Sequence, residues 1–171
     1  MRAALIAKSL ALVLPFLVAA EAAAEENCRN FSWSVGRPID LFDEPLPVVQ
    51  SAQSLPKEGV FAVVLRPVAE VIYPTLPERG SDGSWGAVIT LENVAAGRYQ
   101  LALSEEAWVE AIQDNTRLAI RPSGRTVECR GVRRSFEVET RGEPLTLQLG
   151  GAGVRRINIA VVRVWPFEWR W

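Results

Sequence analysis

Apolar residues occur in short runs from Gly59 to the end of the chain, and turn-forming residues separate these runs at intervals of about ten. This spacing is typical of all-β domains, in which each run supplies one strand and each turn reverses the chain. We therefore predict about nine strands. They cover residues 60–65, 68–73, 85–91, 98–103, 108–113, 117–120, 135–138, 145–149 and 156–165.

Alternation within these runs indicates which side chains face the core. Tyr99, Leu101 and Leu103 share one side of a predicted strand, whereas Gln100 lies on the other side. One buried and one solvated face per strand predicts an all-β fold, an antiparallel β-sandwich or jelly roll of about eight to nine strands. Residues 104–112 also fit a short capped helix, but turns on both sides limit its length and favour a strand.

Residues 25–58 have a different pattern. Pro38, Pro45, Pro47 and Pro56 interrupt every candidate run before it reaches the length of a regular helix or strand. We therefore predict an ordered but irregular arm that packs on a β-sandwich domain of residues 59–171. The apolar side chains of the arm are too numerous for a free linker and should be buried against the core. They are Phe31, Trp33, Val35, Ile39, Leu41 and Phe42.

The first 24 residues have the composition of a secretory signal peptide. Arg2 and Lys8 supply the basic start, an apolar run follows, and alanines allow cleavage after Ala22 or Ala24. The apolar run of about a dozen residues is too short to cross a bilayer core of about 30 Å. We therefore predict removal of residues 1–24, a periplasmic or secreted protein, and no transmembrane helix after cleavage.

Both cysteines of the chain, Cys28 and Cys129, lie beyond the predicted cleavage sites. An exported protein meets an oxidising compartment in which a spaced cysteine pair normally closes. We therefore predict a Cys28–Cys129 disulfide that holds the arm. The rival interpretation is a pair of free thiols beside Arg29 and Arg130, one of them reactive.

The chain contains 19 Lys and Arg residues, 20 Asp and Glu residues and no histidine, and its formal net charge is −1. This balance lacks the basic patch of nucleic-acid-binding proteins, so no nucleic-acid partner is expected. Histidine is the usual general base near neutral pH and the commonest metal ligand, so its absence removes most hydrolase triads and most zinc or iron sites. We expect no catalytic residues, no bound metal and no cofactor.

Glu105, Glu106, Glu110 and Asp114 form the densest acidic cluster, and paired carboxylates can hydrolyse glycosides without histidine. Their spacing fixes no geometry, so we interpret the cluster as solvated charge and keep a histidine-independent carbohydrate-active enzyme as the alternative. The turn around Asp82 offers one carboxylate for calcium, but a hairpin turn uses the same residues.

The end of the chain places four aromatic residues at every second position, so a strand would present them on one face. Three interpretations stay open: packing on the core or the arm, a stacking platform for a sugar or a partner, and the terminal signal of a small outer-membrane β-barrel. We favour packing, and the platform makes these aromatic residues the first candidates for ligand contact. They are Trp165, Phe167, Trp169 and Trp171.

Several arginines flank the second cysteine and a predicted hairpin. A basic edge of this kind could hold an anionic sugar or the carboxylates of a partner, or it could keep an exposed sheet edge from aggregating. The second set of candidate contact residues is Arg130, Arg133 and Arg134, with Arg155 and Arg156 across the hairpin.

Three segments resemble a group of small exported bacterial proteins of uncharacterised function. Residues 96–110 resemble the run G-x-Y-x-x-x-L followed by A-W-[IV]-[DE] in that group, and residues 129–136 resemble its C-x-G-[IV]-[RK]-K-x-V-x-F segment. Residues 145–152 resemble its terminal L-T-L-Q-L-S-G-A hairpin. The layout is also similar to the jelly-roll pre-peptidase C-terminal domains of secreted proteases, which implies a β-sandwich.

Some members of this group bear the name homogentisate 1,2-dioxygenase, which implies a non-haem iron oxygenase. Such an enzyme holds its iron with two histidines and a carboxylate, and this chain has no histidine. Relatives place a histidine before the second cysteine, whereas residues 121–128 contain none. The resemblance therefore implies no activity for this chain.

These observations together predict an exported, non-catalytic β-sandwich that acts as a binding or interaction module. The expected partner is a cell-envelope protein or a glycan. The alternatives are the carbohydrate-active enzyme described above and, second, a small outer-membrane β-barrel.

Overall fold

The computed structural model describes residues 28–79, 84–123, 128–142 and 144–165. Helix α1 spans Gly36–Phe42, and a short 3-10 helix spans Val68–Glu70. The strands are β1 (Val48–Gln50), β2 (Gln53–Leu55), β3 (Gly59–Val64), β4 (Arg66–Pro67), β5 (Trp85–Leu91), β6 (Gly97–Leu103), β7 (Trp108–Gln113), β8 (Thr116–Arg117), β9 (Ile120–Pro122), β10 (Arg134–Thr140), β11 (Leu145–Ala152) and β12 (Arg156–Arg163).

These strands form two six-stranded sheets that pack face to face, which confirms the predicted β-sandwich. The first sheet has the order β1-β3-β12-β6-β10-β9. The second sheet has the order β2-β5-β11-β7-β8, and β4 also pairs with β5. Within the described residues each sheet begins and ends with a different strand, so neither sheet closes on itself.

The core lies between the two sheets and contains the alternating side chains that the sequence pattern identifies. Tyr99, Leu101 and Leu103 of β6 are fully buried there, and they face Leu147 and Leu149 of the opposite layer within the same cluster. Each buried leucine or isoleucine contributes about 1.5–3 kcal/mol of transfer free energy. The period of two is therefore the physical reason that these strands form.

Two predicted strands are wrong. Residues 68–73 form the 3-10 helix and then an extended stretch that, in the described structure, belongs to no sheet. Pro67 has φ −50° and directs the chain into the helix, and Ile72 is 92% exposed and so lacks the burial that a core strand requires. Residues 117–120 do not form one strand either, because the chain leaves the second sheet after β8 and enters the first sheet at β9.

The arm also differs from its prediction, because it contains α1, β1 and β2 rather than irregular chain alone. Pro38 lies in the first turn of α1, where a missing N–H removes no helical hydrogen bond. β1 pairs with β3 and β2 pairs with β5, both in parallel, so the sheets are mixed rather than purely antiparallel. Residues this far apart in sequence carry no local signal for parallel pairing.

The arm covers the outer face of the first sheet with a second, smaller apolar cluster. Phe31, Val35 and Ile39 are buried there against Ala102 and Ala160 of the sheet. The small alanine side chains allow α1 to approach the sheet closely. The apolar side chains that precede β1 therefore pack on the outer face of the first sheet.

The predicted disulfide is confirmed. Cys28 and Cys129 are bonded across a sequence separation of 101, with Cα atoms 4.9 Å apart, and Cys129 is fully buried. Neither cysteine of the chain is a free thiol, so the reactive-thiol interpretation is wrong. Among the described helices, none has the length and hydropathy needed to cross a membrane.

We expect the Cys28→Ala/Cys129→Ala variant to lose about 2–5 kcal/mol of unfolding free energy, because the bridge constrains a long loop of the unfolded chain. Urea denaturation of the oxidised protein and of the variant measures this difference. A reductant should shift the wild-type transition towards that of the variant and leave the variant unchanged. Equal midpoints for the two oxidised proteins would contradict the expectation.

Candidate functional site

A groove of about 690 Å³ opens at the edge of the sandwich where the two sheets separate. β8 pairs with β7 only at Ile112 and Gln113, and the chain then crosses to β9 in the other sheet. The first half of β7 therefore borders a gap instead of a neighbouring strand. We call this gap the edge groove; its walls come from residues 78–79, 106–110, 117–120, 122, 134, 136 and 151.

Trp108 is the half-buried aromatic side chain of the edge groove. Its ring lies against the backbone of Gly150 and Gly151, where β11 has an irregularity in its register. A Cβ atom at Gly150 would collide with the ring, so glycine is required for this approach. The ring of Tyr73 lies 5.7 Å from that of Trp108 at 41°. The indole is therefore held in one position beside the groove.

The loop of residues 71–79, which we call the rim loop, crosses the outer face of the second sheet. Tyr73 donates a hydrogen bond from its hydroxyl to the carbonyl of Leu149 at 2.8 Å. Gln148 donates to the carbonyl of Thr75 at 3.2 Å, and Arg117 donates to that of Leu76 at 2.8 Å. One side chain of the loop and two strand side chains, Gln148 and Arg117, thus anchor this loop next to the groove.

Gln148 and Arg117 also donate hydrogen bonds to the carboxylate of Glu110. This carboxylate is buried, with a side chain that is 8% exposed. Oε1 accepts a hydrogen bond from the backbone N–H of Glu78 at 2.9 Å. Oε2 accepts from Gln148 Nε2 at 2.6 Å and from Arg117 Nε at 3.2 Å. Both carboxylate oxygens are occupied by donors, so this side chain is suited to holding the rim loop. The interpretation of Glu110 as solvated charge is wrong.

The other members of the acidic cluster do not gather around Glu110. Glu106 lines the same groove, where its Oε1 lies 3.3 Å from Arg134 Nη1. Glu105 lines a different cavity, and Asp114 lies in the β7–β8 turn with φ 47°. The structure therefore brings two of the four carboxylates to one groove.

The charges of the edge groove neutralise one another. Its lining contains three glutamates and three arginines. Arg117 pairs with Glu78 at 2.9 Å and with Glu110 at 3.1 Å. Arg134 pairs with Glu106, and its guanidinium also lies 5.3 Å from the centroid of the Phe136 ring. The lining thus presents fixed donors and acceptors with a formal charge of zero.

The predicted basic edge is divided by the structure. Arg134 faces the edge groove, whereas Arg155 lies over the ring of Trp85 at 4.7 Å. Arg130, Arg133 and Arg156 line a second cavity of about 410 Å³ beside the disulfide-linked turn. Neighbouring strand residues point to opposite faces, which separates Arg133 from Arg134.

Trp165 is the one terminal aromatic residue within the described part of the chain. It is 51% exposed, and the guanidinium of Arg163 lies 4.8 Å from its ring centroid. It does not line the edge groove. Phe167, Trp169 and Trp171 lie outside the described residues, as do Asp82 and the predicted signal peptide.

Sequence reasoning missed Trp108, Tyr73 and Gln148 as residues of the site. Trp108 fits the pattern of a strand, and nothing local distinguishes an indole beside a groove from one in the core. The available signal was a polar Gln148 within an apolar run, followed by the pair Gly150 and Gly151. Across the described ranges, no three Cys, Asp or Glu side chains lie close enough together to hold a metal ion.

Comparison with protein-family models, curated proteins and solved structures finds no match to this chain. The resemblance to small exported proteins and to pre-peptidase C-terminal domains is not tested by these comparisons and stays a prediction.

We expect Glu110→Gln to lower the unfolding free energy by about 1–3 kcal/mol, because an amide leaves Arg117 without its buried charge partner and turns a donor towards Gln148 or Glu78. Urea denaturation measures the loss. Glu139→Gln, at an exposed position of β10, is the matched control and should change stability by less than about 0.5 kcal/mol. An unchanged midpoint for Glu110→Gln would refute the anchoring role.

The pKa of Tyr73 is raised to about 12, because burial desolvates the phenol and the negative charge of Glu110 disfavours the phenolate. The unfolded chain releases this proton near the ordinary value of 10.0, whereas the folded chain retains it to higher pH. The stabilisation is therefore fully present below pH 10.0 and is lost as the pH rises towards about 12.

This shift predicts that wild-type stability falls more steeply between pH 10.0 and about 12 than the stability of Tyr73→Phe does. The difference between the two proteins isolates Tyr73 from every other group that titrates in this range. Denaturant titrations at a series of pH values provide the measurement. Parallel curves for the two proteins would contradict the shift.

Proposed function

We propose that the chain is an exported, non-catalytic β-sandwich binding module whose edge groove takes an uncharged glycan of the cell envelope. The observation that carries this proposal is Trp108, held against Gly150 and Gly151 at the side of a groove in which each of the three glutamates is paired with an arginine. The groove volume lies within the range of sites for small ligands.

The chemistry of a sugar fits these features. A pyranose ring has an apolar C–H face that packs on an indole, and its hydroxyl groups both donate and accept hydrogen bonds. Glu106 and Glu78 supply acceptors, and Arg79 and Arg134 supply donors. A lining with no net charge gives little attraction to a simple ion, so a neutral ligand with many hydroxyl groups is favoured.

Rigidity of the lining supports binding as the role of the groove. The ion pairs and the anchored rim loop hold the side chains before a ligand arrives, which reduces the entropy lost on association. Glu110, the most buried carboxylate of the groove, already accepts from three different residues and is engaged in structure. The disulfide supports an oxidising compartment and hence export.

A carbohydrate-active enzyme is the second candidate, and Glu106 favours it. Its Oε2 is buried and has no hydrogen-bond partner among the described residues, and it lines the same groove as Glu110. A glycosidase general acid must reach the leaving-group oxygen within hydrogen-bond distance, and a carboxyl oxygen that no other side chain occupies is open to this contact. Release of reducing ends from a bound glycan by wild type, abolished in Glu106→Gln, would establish this candidate over the non-catalytic module.

A neutral-oligosaccharide array tests the proposal. We expect Trp108→Ala to weaken binding of the selected glycan by about tenfold or more, because the stacking face is lost. Arg79→Gln changes an exposed lining residue without touching the fold and should weaken binding severalfold, whereas Arg66→Gln, an exposed arginine of β4, should not. Thermal unfolding of each variant shows whether it is folded.

The same array distinguishes the edge groove from the terminal aromatic residues. A protein that ends at Trp165 lacks Phe167, Trp169 and Trp171, and it should bind as wild type does if the groove is the site. Loss of binding in this truncated protein together with full binding by Trp108→Ala would transfer the role to the tail. Absence of binding to any neutral glycan would overturn the proposal.

A further inference from the structure

The second cavity, which we call the turn pocket, is built around a tight hairpin turn. Cys129 and Val132 exchange backbone hydrogen bonds at 2.8 and 2.9 Å, so Arg130 and Gly131 are the two central residues. Their φ angles are 46° and 86°, which is the pattern of a type I′ turn. Asn-Gly is the favoured sequence for this turn, so an arginine at the first position is conformationally unfavourable.

The turn is fixed in this conformation in spite of the unfavourable backbone angle at Arg130. Cys129 and Val132 are fully buried in the apolar cluster beneath the arm, and the disulfide to Cys28 ties the turn to that arm. Arg130 itself is exposed and lines the turn pocket. An unfavourable backbone conformation that places a charged side chain on a rigid support points to a role for that side chain.

Charges of both signs line the turn pocket. Arg130 comes from the turn, Arg133 directly follows it, Arg156 comes from the start of β12, and Asp43 from the end of α1; Glu105 and Glu128 complete the set. Within the described ranges the one ion pair among these six is Arg133 with Glu128, at 2.8 Å. Two cations and two anions thus face a common cavity without pairing among described side chains.

Hydrogen-bonding capacity in the turn pocket also exceeds what the described residues use. Arg133 Nε is buried and has no hydrogen-bond partner among them. Ser104 and Asn158, which also line the pocket, are fixed to each other: the Asn158 N–H donates to Ser104 Oγ at 2.9 Å, and the Ser104 N–H donates to the carbonyl of Asn158 at 3.0 Å. A buried donor without a partner calls for a water or a ligand acceptor.

We infer that the turn pocket binds a small zwitterion that carries an ammonium and a carboxylate group, as free amino acids and short peptides do. Arg130 and Arg156 pair with the carboxylate, and Asp43 and Glu105 pair with the ammonium. A volume of about 410 Å³ is at the small end of ligand sites and suits a ligand of this size.

The mixture of charges disfavours ligands with one charge. A simple anion meets repulsion from the two unpaired carboxylates, and a simple cation meets repulsion from the two unpaired guanidiniums. A neutral sugar can form hydrogen bonds with these side chains but no ion pair with any of the four charges. This separates the turn pocket from the edge groove, in which the arginines and glutamates neutralise one another.

Isothermal titration calorimetry of the mature protein with the twenty free amino acids and with glycylglycine tests the inference. For the best binder, three derivatives separate the charges: the free zwitterion, its N-acetyl form, which keeps only the negative charge, and its methyl ester, which keeps only the positive charge. We expect both blocked forms to bind at least about tenfold more weakly than the zwitterion.

Two variants locate the site. Arg130→Asn removes the guanidinium and supplies the residue that the turn prefers, so it should melt no lower than wild type and yet bind at least about tenfold more weakly. Arg156→Gln should weaken binding to a similar degree. Arg66→Gln, which lines neither cavity, is the control and should bind as wild type does.

The inference is overturned if no amino acid or glycylglycine binds more tightly than about 1 mM. It is also overturned if a blocked derivative binds as well as the zwitterion, or if Arg130→Asn and Arg156→Gln bind as wild type does. Preference for glycylglycine over every amino acid would assign the site to peptides, and the reverse preference would assign it to free amino acids. Neither result depends on whether the edge groove binds a glycan.

Discussion

The disulfide between Cys28 and Cys129 is the constraint on which the covering of the first sheet's outer face depends. It joins the beginning of the described chain to a turn that lies 101 residues later, and both partners sit in the apolar cluster between α1 and the sheet. Helix α1 has seven residues, too few to be stable alone in water. The bridge and the buried Val35 and Ile39 therefore hold the helix in place, and the helix in turn places Asp43 beside the turn.

The two sheets cover their outer faces by different means, and the difference explains where the edge groove occurs. The first sheet is covered by apolar side chains of the arm, which fill space continuously. The second sheet is covered by the rim loop, which is fixed at separate points by Glu110, Gln148 and Arg117. Hydrogen bonds require alignment only at the donor and acceptor. Space between these anchors can remain open, and the edge groove lies next to them.

At each side of the sandwich, two residues connect an edge strand of one sheet to an edge strand of the other. Ser51 and Ala52 separate β1 from β2, and Leu118 and Ala119 separate β8 from β9. At the first crossing, each strand pairs with its neighbour over three residues. At the second, β8 pairs with β7 over two residues, so the beginning of β7 has no strand on that side. The groove follows from the shortness of β8.

The local sequence pattern was sufficient to predict those strands whose apolar runs are bounded by nearby turn residues. β5 and β7 have the predicted limits because turn-forming residues bound their apolar runs, and β6, in which Tyr99, Leu101 and Leu103 alternate, begins one residue before its predicted limit. The same pattern predicted a strand wrongly at residues 68–73, because an extended segment has the same apolar pattern whether or not another strand pairs with it. The separation of Arg133 from Arg134, and the role of Glu110, depend on partners such as Arg117 and Gln148. Those contacts depend on sheet pairing and on the path of the rim loop, which a local pattern does not specify.

The two cavities have similar charged residues but differ in how the backbone holds them. In the edge groove, Arg117 on β8 lies beside Glu110 on β7, and pairing of neighbouring strands brings the opposite charges together. In the turn pocket, Arg130 is placed by the left-handed backbone of the turn and Asp43 by the end of α1, and the two form no ion pair with each other. A charge satisfied by a neighbour offers a ligand only a hydrogen bond, whereas an unsatisfied charge offers an ion pair as well. The two cavities therefore differ in how their charges are paired rather than in their composition.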